Sequence, residues 1–438
     1  MSDREDEELN QAGEARLRKE ISQLGFGAIA LNGTIGAGIF ALPAIAVALA
    51  GLFSPWIYVA CGLLIMAIVF VFARVASYFQ NTGGPVVYAT EAFGPFIGFQ
   101  TGWLLTLSRA AAFAANAHLM VTYAGWFWSP LTDGTVHTIV VGLVCILLTG
   151  INVIGIRQGM LAIFALTVLK LLPLVLLVFL GISQTNPEIF TSAEIPPLDS
   201  LGETMLIIFY AFVGFESAVV PAGEARNAKR DIPLALVRTI LAITIFYFLI
   251  QVVTISVAPG IEGSKTPLAD VAGILMGTMG AAILTMGAVF SISGNCMASM
   301  LSAPRMLYAM GHLGSLPAWF GEVHPRFHTP AKSIYFYALF TIVLALSGGF
   351  VWLAAMSTVV RLMVYVLCIA TLPVLNRKLG EYEGQFRLRG GMVIPVVALV
   401  VSIWLTTHAS MKSWVVTGVF MLLGSVLYLV TRHRKISE

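Results

Sequence analysis

Long apolar runs joined by short polar links repeat along the whole chain. A helix that crosses a bilayer needs about 20 mainly apolar residues. Twelve stretches meet that requirement: 24–49, 53–79, 96–126, 136–154, 159–182, 200–222, 232–259, 272–310, 333–349, 351–375, 391–409 and 412–431. The pattern predicts an all-α polytopic membrane protein with twelve transmembrane helices. The third and eighth stretches exceed one crossing, so each is expected to project from the membrane or to break. A cytoplasmic N-terminal tail (1–20), one transmembrane domain (21–432) and a short C-terminal tail (433–438) follow as the organisation.

Two of these stretches are interrupted. Gly33-Thr34-Ile35-Gly36-Ala37-Gly38-Ile39-Phe40 places three glycines within six residues of the first. Each glycine costs a helix about 1 kcal/mol relative to alanine. Phe209-Tyr210-Ala211-Phe212-Val213-Gly214-Phe215-Glu216 interrupts the sixth. Unwound backbone at membrane depth is tolerated only in buried protein or along a water-filled cavity. Paired breaks at corresponding places in two halves of a chain point to a transporter's binding site. Breaks in spans 1 and 6 make the repeat unit five helices. Five is odd, so the second copy must be inverted, with spans 11 and 12 added at the C-terminus.

Composition agrees with the pattern. The 438 residues are 58% hydrophobic and 11% charged, against about 25% charged in soluble proteins. A net charge of +3 with no clustered Lys/Arg face gives no reason to expect nucleic acid. The first 20 residues lack the short apolar core and small-residue cleavage site of a signal peptide. Positive charge gathers at both ends and in the even-numbered loops: Arg16, Arg18, Lys19; Arg157; Arg226, Lys229, Arg230, Arg238; Arg326, Lys332; Arg377, Lys378, Arg387, Arg389; Arg432, Arg434, Lys435. The odd-numbered loops hold acids such as Asp133, Glu188, Glu194, Asp199, Glu262 and Asp270. The positive-inside rule then sets both termini in the cytoplasm. Cys61, Cys145, Cys296 and Cys368 lie in apolar stretches without metal-ligand spacing and read as small buried hydrophobes. No metal and no cofactor is expected, and no Walker, HExxH or GxSxG sequence suggests an ATP-driven pump or a common hydrolase.

Chemistry concentrates at the breaks. An unwound Gly-rich turn exposes N–H groups, and the half-helix that starts there adds its positive dipole end. The N–H groups of Gly36, Ala37 and Gly38 therefore suit a carboxylate. Close packing of small residues is the alternative reading. Freed carbonyls at Thr34 and around Tyr210–Glu216 suit an ammonium group. Donors on one side and carbonyls on the other fit a zwitterionic α-amino acid, with Tyr210 and Phe212 as an aromatic lid or, equally, as ordinary packing.

Lys170 sits mid-way along Leu161–Leu180, roughly 15 Å from the nearer end at 1.5 Å per residue. Snorkelling cannot reach water from there, so the amine needs partners. Desolvation disfavours a charged amine in general, which suits a proton carrier or a group standing in for a cation. A fixed ammonium tying helices together through carbonyls is the other reading. Ser291 and Ser293, in Ser291-Ile292-Ser293-Gly294-Asn295, could ligate a cation or that ammonium. Arg74, Arg109, Glu216 and Arg361 read as structural charges, with an Arg109–Glu216 pair conceivable. His118 is a further possible proton carrier or a satisfied interior histidine.

Four motifs in order resemble the amino acid–polyamine–organocation (APC) family of permeases, which has the LeuT-like fold. They are Gly33 through Phe40; Gly83-Gly84-Pro85-Val86-Val87-Tyr88 through Phe93-Gly94; Phe212-Val213-Gly214-Phe215-Glu216 leading to Asn227-Ala228-Lys229-Arg230-Asp231-Ile232-Pro233; and Arg305-Met306-Leu307-Tyr308-Ala309-Met310 through Gly314-Ser315-Leu316-Pro317. The resemblance covers about residues 20–430 and departs from the common Asn-Pro-Lys-Arg form at Ala228.

It implies a secondary transporter of the plasma membrane with two inverted five-helix repeats. A substrate site is expected at Thr34, Ile35, Gly36, Ala37, Gly38, Tyr210, Ala211, Val213 and Gly214. By that resemblance the Ala37 and Gly38 N–H groups hold the substrate carboxylate, and the Thr34, Tyr210 and Val213 carbonyls take its amine. Tyr210 would occlude the ligand. Lys170 resembles the span-5 lysine that replaces sodium and is linked to proton coupling, with Ser291 and Ser293 as neighbours. Proton-coupled symport of neutral amino acids is the expectation, with obligate exchange of amino acids, or of an amino acid and its amine product, as the alternative. A receptor or scaffold on the same fold is a more distant one. The expected partners are the amino acid, protons and membrane lipid.

Overall fold

The computed structural model describes residues 21–437 apart from 80–82, 155–159, 186, 188–192, 223–224, 313, 328, 381–384 and 387–390. The expected N-terminal tail with Arg16, Arg18 and Lys19, and the loop charges Arg157, Glu188, Arg387 and Arg389, lie outside the described residues.

Helices make up the architecture; the β structure among the described residues is one isolated bridge between Ile21 and Ala225. The first apolar stretch divides into α1 (Gln23–Thr34) and α2 (Gly38–Ala50), with 35–37 unwound between them. A 3₁₀ turn, Gly51–Phe53, leads into α3 (Ser54–Ala76). The Gly-Gly-Pro and Phe-Gly-Pro signals produce α4 (Pro85–Phe93) and α5 (Pro95–Ala124). Each begins on a proline, which needs no N–H partner at a first helical position. Each follows a glycine of positive φ, Gly84 (54°) and Gly94 (91°), which lets the chain turn sharply.

Next come α6 (Gly134–Ile154), α7 (Met160–Gly181) and α8 (Leu198–Phe209). Two 3₁₀ turns, Tyr210–Phe212 and Phe215–Ala218, then replace helix where the second break was expected. The rest is α9 (Ala228–Val257), α10 (Pro267–His312), α11 (Ala331–Ser347), α12 (Phe350–Leu379), α13 (Val393–Thr407) and α14 (Met411–Ser437). The stretch expected as a C-terminal tail continues α14 as helix through Ser437.

The two over-long stretches resolve differently. α5 runs unbroken for 30 residues, roughly 45 Å against a hydrocarbon core of about 30 Å. α10 kinks at Gly277 (φ 68°, ψ −168°), a backbone conformation that a Cβ would oppose.

Among the described residues, nine helical stretches are long and apolar enough to cross a membrane, and Ala331–Ser347 and Val393–Thr407 are shorter apolar helices. The chain is therefore a multi-pass, all-helical membrane protein. Burial sorts the helices into centre and periphery. The apolar part of α5 is 78% buried, and that of α8 with its following turns 72%; α7 and α14 fall to 28% and 22%. α5 packs between α10 and α12. α7 and α14 instead turn Leu169, Leu172, Phe179, Leu422 and Leu429 outward, an apolar exterior that water does not suit.

Candidate functional site

Both breaks meet at the centre of the bundle. Ile35 leaves the helical region (φ −77°, ψ 92°) and ends α1. Val213 is extended (φ −78°, ψ 152°) and Gly214 is left-handed (φ 116°). The two unwound segments touch through glycine backbone. A Cβ on Gly33 would lie 2.5 Å from Gly214 O and 2.6 Å from Ser217 Oγ. A Cβ on Gly38 would lie 2.7 Å from Ala211 Cα. The glycines thus let the two breaks approach one another, beyond loosening each helix.

A cavity of about 250 Å³ opens between them. Thr34, Gly36, Ala37, Gly38, Tyr210, Val213 and Gly214, all expected at the site, line it. Gly36 N–H donates to Thr34 O (3.0 Å). The donors that the start of α2 leaves open are then those of Ala37, Gly38 and Ile39, of which Ala37 and Gly38 line the cavity. Ile35 and Ala211 stand behind the wall. The Ile35 carbonyl faces Lys170, and Ala211 O accepts from Tyr247 OH at 3.2 Å.

The two aromatic lid residues separate. Tyr210 lines the cavity and meets Phe350 edge-on, with centroids 5.9 Å apart at 87°. Phe212 is fully buried between Tyr58 and Tyr247, with centroids at 6.4 and 5.2 Å. In this arrangement Phe212 is core and Tyr210 alone fronts the cavity. The 3₁₀ turn aims consecutive side chains in different directions, which no sequence period reveals.

Lys170 lies behind the first break and is buried. Its ammonium donates to Ile35 O (2.8 Å) and Asn32 O (3.3 Å), carbonyls that the unwinding leaves without helical partners. Ser293 Oγ donates to its own helix at Val289 O (2.7 Å) and lies 2.9 Å from Met120 Sδ. Ser291 Oγ is buried without a hydrogen-bond partner among the described residues. Neither serine is brought into hydrogen-bond contact with Lys170 here.

The conceivable Arg109–Glu216 pair gives way to another. Glu216 pairs with Arg361 at 3.0 Å, and both side chains are buried. The carboxylate also accepts from Tyr365 OH (2.7 Å) and Gly214 N–H (3.1 Å), and Arg361 Nε donates to Ser108 Oγ (2.9 Å). Glu216 therefore fixes the left-handed turn of the second break to α12 and α5. Arg109 donates to Ser302 Oγ, while its Nε is buried without a partner among the described residues. Two guanidiniums, Arg109 and Arg361, face the cavity against the one carboxylate of Glu216, so its wall carries surplus positive charge. Arg74, at the end of α3, donates to Phe386 O (3.0 Å) and lies over Tyr78.

Sequence reasoning missed an amide chain in the wall. Asn295 Nδ2 reaches Asn32 O and Gly33 O (3.3 and 3.4 Å). Its Oδ1 accepts from Asn116 Nδ2 (2.9 Å), and Asn116 Oδ1 accepts from Tyr210 OH (2.8 Å). Both breaks are thereby linked through α5 and α10. The signal was available as polar residues at helical spacing in apolar helices. Arg109 and Asn116 are i, i+7; Asn295, Ser299 and Ser302 are i, i+4, i+7. Among the described residues no cluster of His, Cys, Asp and Glu could hold a metal, and the four cysteines are free and buried.

A multi-pass helical bundle whose two broken helices line a cavity at its centre, with a few polar and charged side chains in the wall, has the build of a membrane transporter. Comparison with known proteins agrees: the family model for amino acid permeases matches residues 21–431, and the chain belongs to that family. It is 24% identical over 424 residues to the serine/threonine exchanger SteT of Bacillus subtilis, covering 93% of this chain and 95% of that one. It is 22% identical over 450 residues to the branched-chain amino acid permease BcaP of the same organism (98% and 96% covered). It is 26% identical over 397 residues to that organism's glutamate/serine transporter AimA (83% and 72% covered). The chain is thus a permease and not an enzyme, and its relatives support amino acid transport.

Proposed function

We propose that the chain is a secondary active transporter that carries neutral α-amino acids across the plasma membrane by alternating access, in symport with protons. The carrying observation is the polarity of the cavity. Open N–H groups at Ala37 and Gly38 stand on one wall, and the unwound turn of Tyr210 to Gly214 on the other. A carboxylate and an ammonium on one carbon fit between them. The surplus positive charge of Arg109 and Arg361 over Glu216 argues against a basic side chain.

In this reading the chain from 21 to 432 is one unit of twelve spans. Broken α1–α2 counts as the first, α11 and α13 count as spans, and two inverted five-helix repeats precede two further helices. Both termini face the cytoplasm, because Arg226, Lys229, Arg230, Arg326, Lys332, Arg377 and Lys378 share that side. Lipid covers the outward leucines of α7 and α14. Lys170, bound to two carbonyls at the end of α1, is the coupling group. Loss of its proton would free Asn32 O and Ile35 O and loosen the break. Ser291, buried and unpartnered on α10, is available to it if the helices shift. Tyr210 with Phe350 forms the gate.

Exchange is the second reading. It is favoured by the same two carbonyl bonds, which would also hold a permanently charged lysine as a tie, and by the relative SteT being a serine/threonine exchanger. Uptake of a labelled amino acid panel into proteoliposomes tests both. Accumulation that needs an inward proton gradient and no internal amino acid supports symport. Flux only into liposomes preloaded with amino acid would refute symport and establish exchange. Selective uptake of acidic or basic amino acids would refute the neutral class.

A further inference from the structure

A second cavity, about 500 Å³, lies on the far side of the Tyr210–Phe350 contact and is lined by His118, His137, Thr122, Lys265 and Phe350 among others. His118 belongs to α5 and His137 to the start of α6. His118 Nδ1 and His137 Nε2 are 3.0 Å apart. The ring centroids are 5.2 Å apart and the planes differ by 21°. That separation is the N···N distance plus the two ring radii, so the rings meet edge to edge in nearly one plane, as a nitrogen-to-nitrogen hydrogen bond requires.

The other two ring nitrogens fix the proton count. His118 Nε2 lies 2.9 Å from Ala345 O, and His137 Nδ1 lies 3.1 Å from Leu131 O. A backbone carbonyl only accepts, so each of these nitrogens must carry a hydrogen. A neutral imidazole has one N–H, and both are then committed to the carbonyls. The facing nitrogens would present two lone pairs to each other at contact distance. Three hydrogen bonds need three protons, and two neutral rings supply two.

We propose that His118 and His137 form a proton-binding site that holds one additional proton, shared between the facing nitrogens. The proton comes from water in the cavity, adds to one lone pair, and is accepted by the other ring across the 3.0 Å contact. The pair then carries a single positive charge and joins α5 to α6 and to the end of α11 at Ala345. A second proton has no acceptor to bond and would set two cations in contact. The site stands apart from Lys170, across the Tyr210–Phe350 gate.

Other charged groups nearby have partners of their own or stand off. Asp270 accepts from Ser264 Oγ. Lys412 is held by Ser347 O (2.7 Å) and the Trp352 ring. Tyr123 donates to Phe40 O (2.7 Å). Asp133 meets His137 through its backbone carbonyl only. Lys265 is a further charge on the cavity wall and opposes added positive charge, a second proton most of all. Among the described residues no carboxylate bonds either ring.

The test counts protons on the full-length protein in lipid nanodiscs. Potentiometric difference titration from about pH 4 to 9, which brackets the range where imidazoles charge, compares wild type with the double variant His118→Gln/His137→Asn. Those amides keep a donor toward Ala345 O and Leu131 O. We expect wild type to bind one proton more than the variant. A difference of two would mean independently charging rings, and a difference of zero a pair that stays neutral; either overturns the proposal. Solid-state ¹⁵N spectra of histidine-labelled wild type need no variant. A nitrogen-to-nitrogen coupling across one shared proton supports the site, and its absence throughout the titration refutes it. Elemental analysis of chelator-washed protein that still finds one transition-metal ion per chain would replace the proton by a metal. The count involves no transport. It should persist in Lys170→Ala, so it fails or stands separately from the coupling role given to that lysine.

Discussion

Glu216 offers the sharpest energetic test of how the second break is held. Its carboxylate is 1% exposed and meets Arg361 at 3.0 Å, Tyr365 OH at 2.7 Å and Gly214 N–H at 3.1 Å. Removing one member of such a buried pair leaves the other charge without its partner, at a cost of about 3–5 kcal/mol, whereas replacing both members is often close to neutral. Glu216→Gln and Arg361→Met should each lose about that much, roughly a hundred- to several-thousand-fold in the folded fraction. The double variant should lose far less than the sum, with a coupling of at least about 1.5 kcal/mol. The two singles should also rank. Glu216→Gln leaves Arg109 and Arg361 facing one cavity without a carboxylate, while Arg361→Met leaves Glu216 with Arg109, Tyr365 and the Gly214 N–H, so the glutamate variant should be the weaker protein. Equilibrium unfolding of all four proteins in mixed detergent micelles gives these numbers. Additive losses, or a double variant no better than Glu216→Gln, would show that the ion pair does not carry the turn.

Other expectations follow from single contacts. Gly33→Ala drives a methyl to 2.5 Å from Gly214 O and should abolish uptake while leaving membrane insertion intact; uptake near wild type would mean the breaks need not touch. Tyr210→Phe removes the hydrogen bond to Asn116, about 1 kcal/mol, and keeps the edge contact with Phe350, so a several-fold rise in KM is expected. Tyr210→Ala should also leak, and equal behaviour of the two variants in counterflow assays would remove the gate. Lys170→Ala should lose gradient-driven accumulation while substrate still binds by thermal shift; unchanged accumulation at equal expression would end the coupling reading.

The membrane character, the helical build and the two breaks were legible in the chain alone. Apolar run length reports the solvent of a segment, and clustered glycine reports where a helix yields. Local composition was also enough for the Gly-Pro starts of α4 and α5. The sequence further identified Lys170 as a charge needing partners, because a mid-helix lysine cannot reach water. It could not say which partners, since Asn32 O and Ile35 O become available only when α1 unwinds against α7. Choosing Arg361 over Arg109 for Glu216, turning Phe212 into the core while Tyr210 fronts the cavity, and bringing Asn116 to Asn295 all depend on how helices far apart in sequence rotate and pack. The same holds for His118 and His137, 19 positions apart on two helices, whose facing nitrogens are set by the α5–α6 packing. Run length and glycine spacing are properties of one segment and survive in the linear chain. Partner choice is a property of two or more segments, and only the folded bundle fixes it.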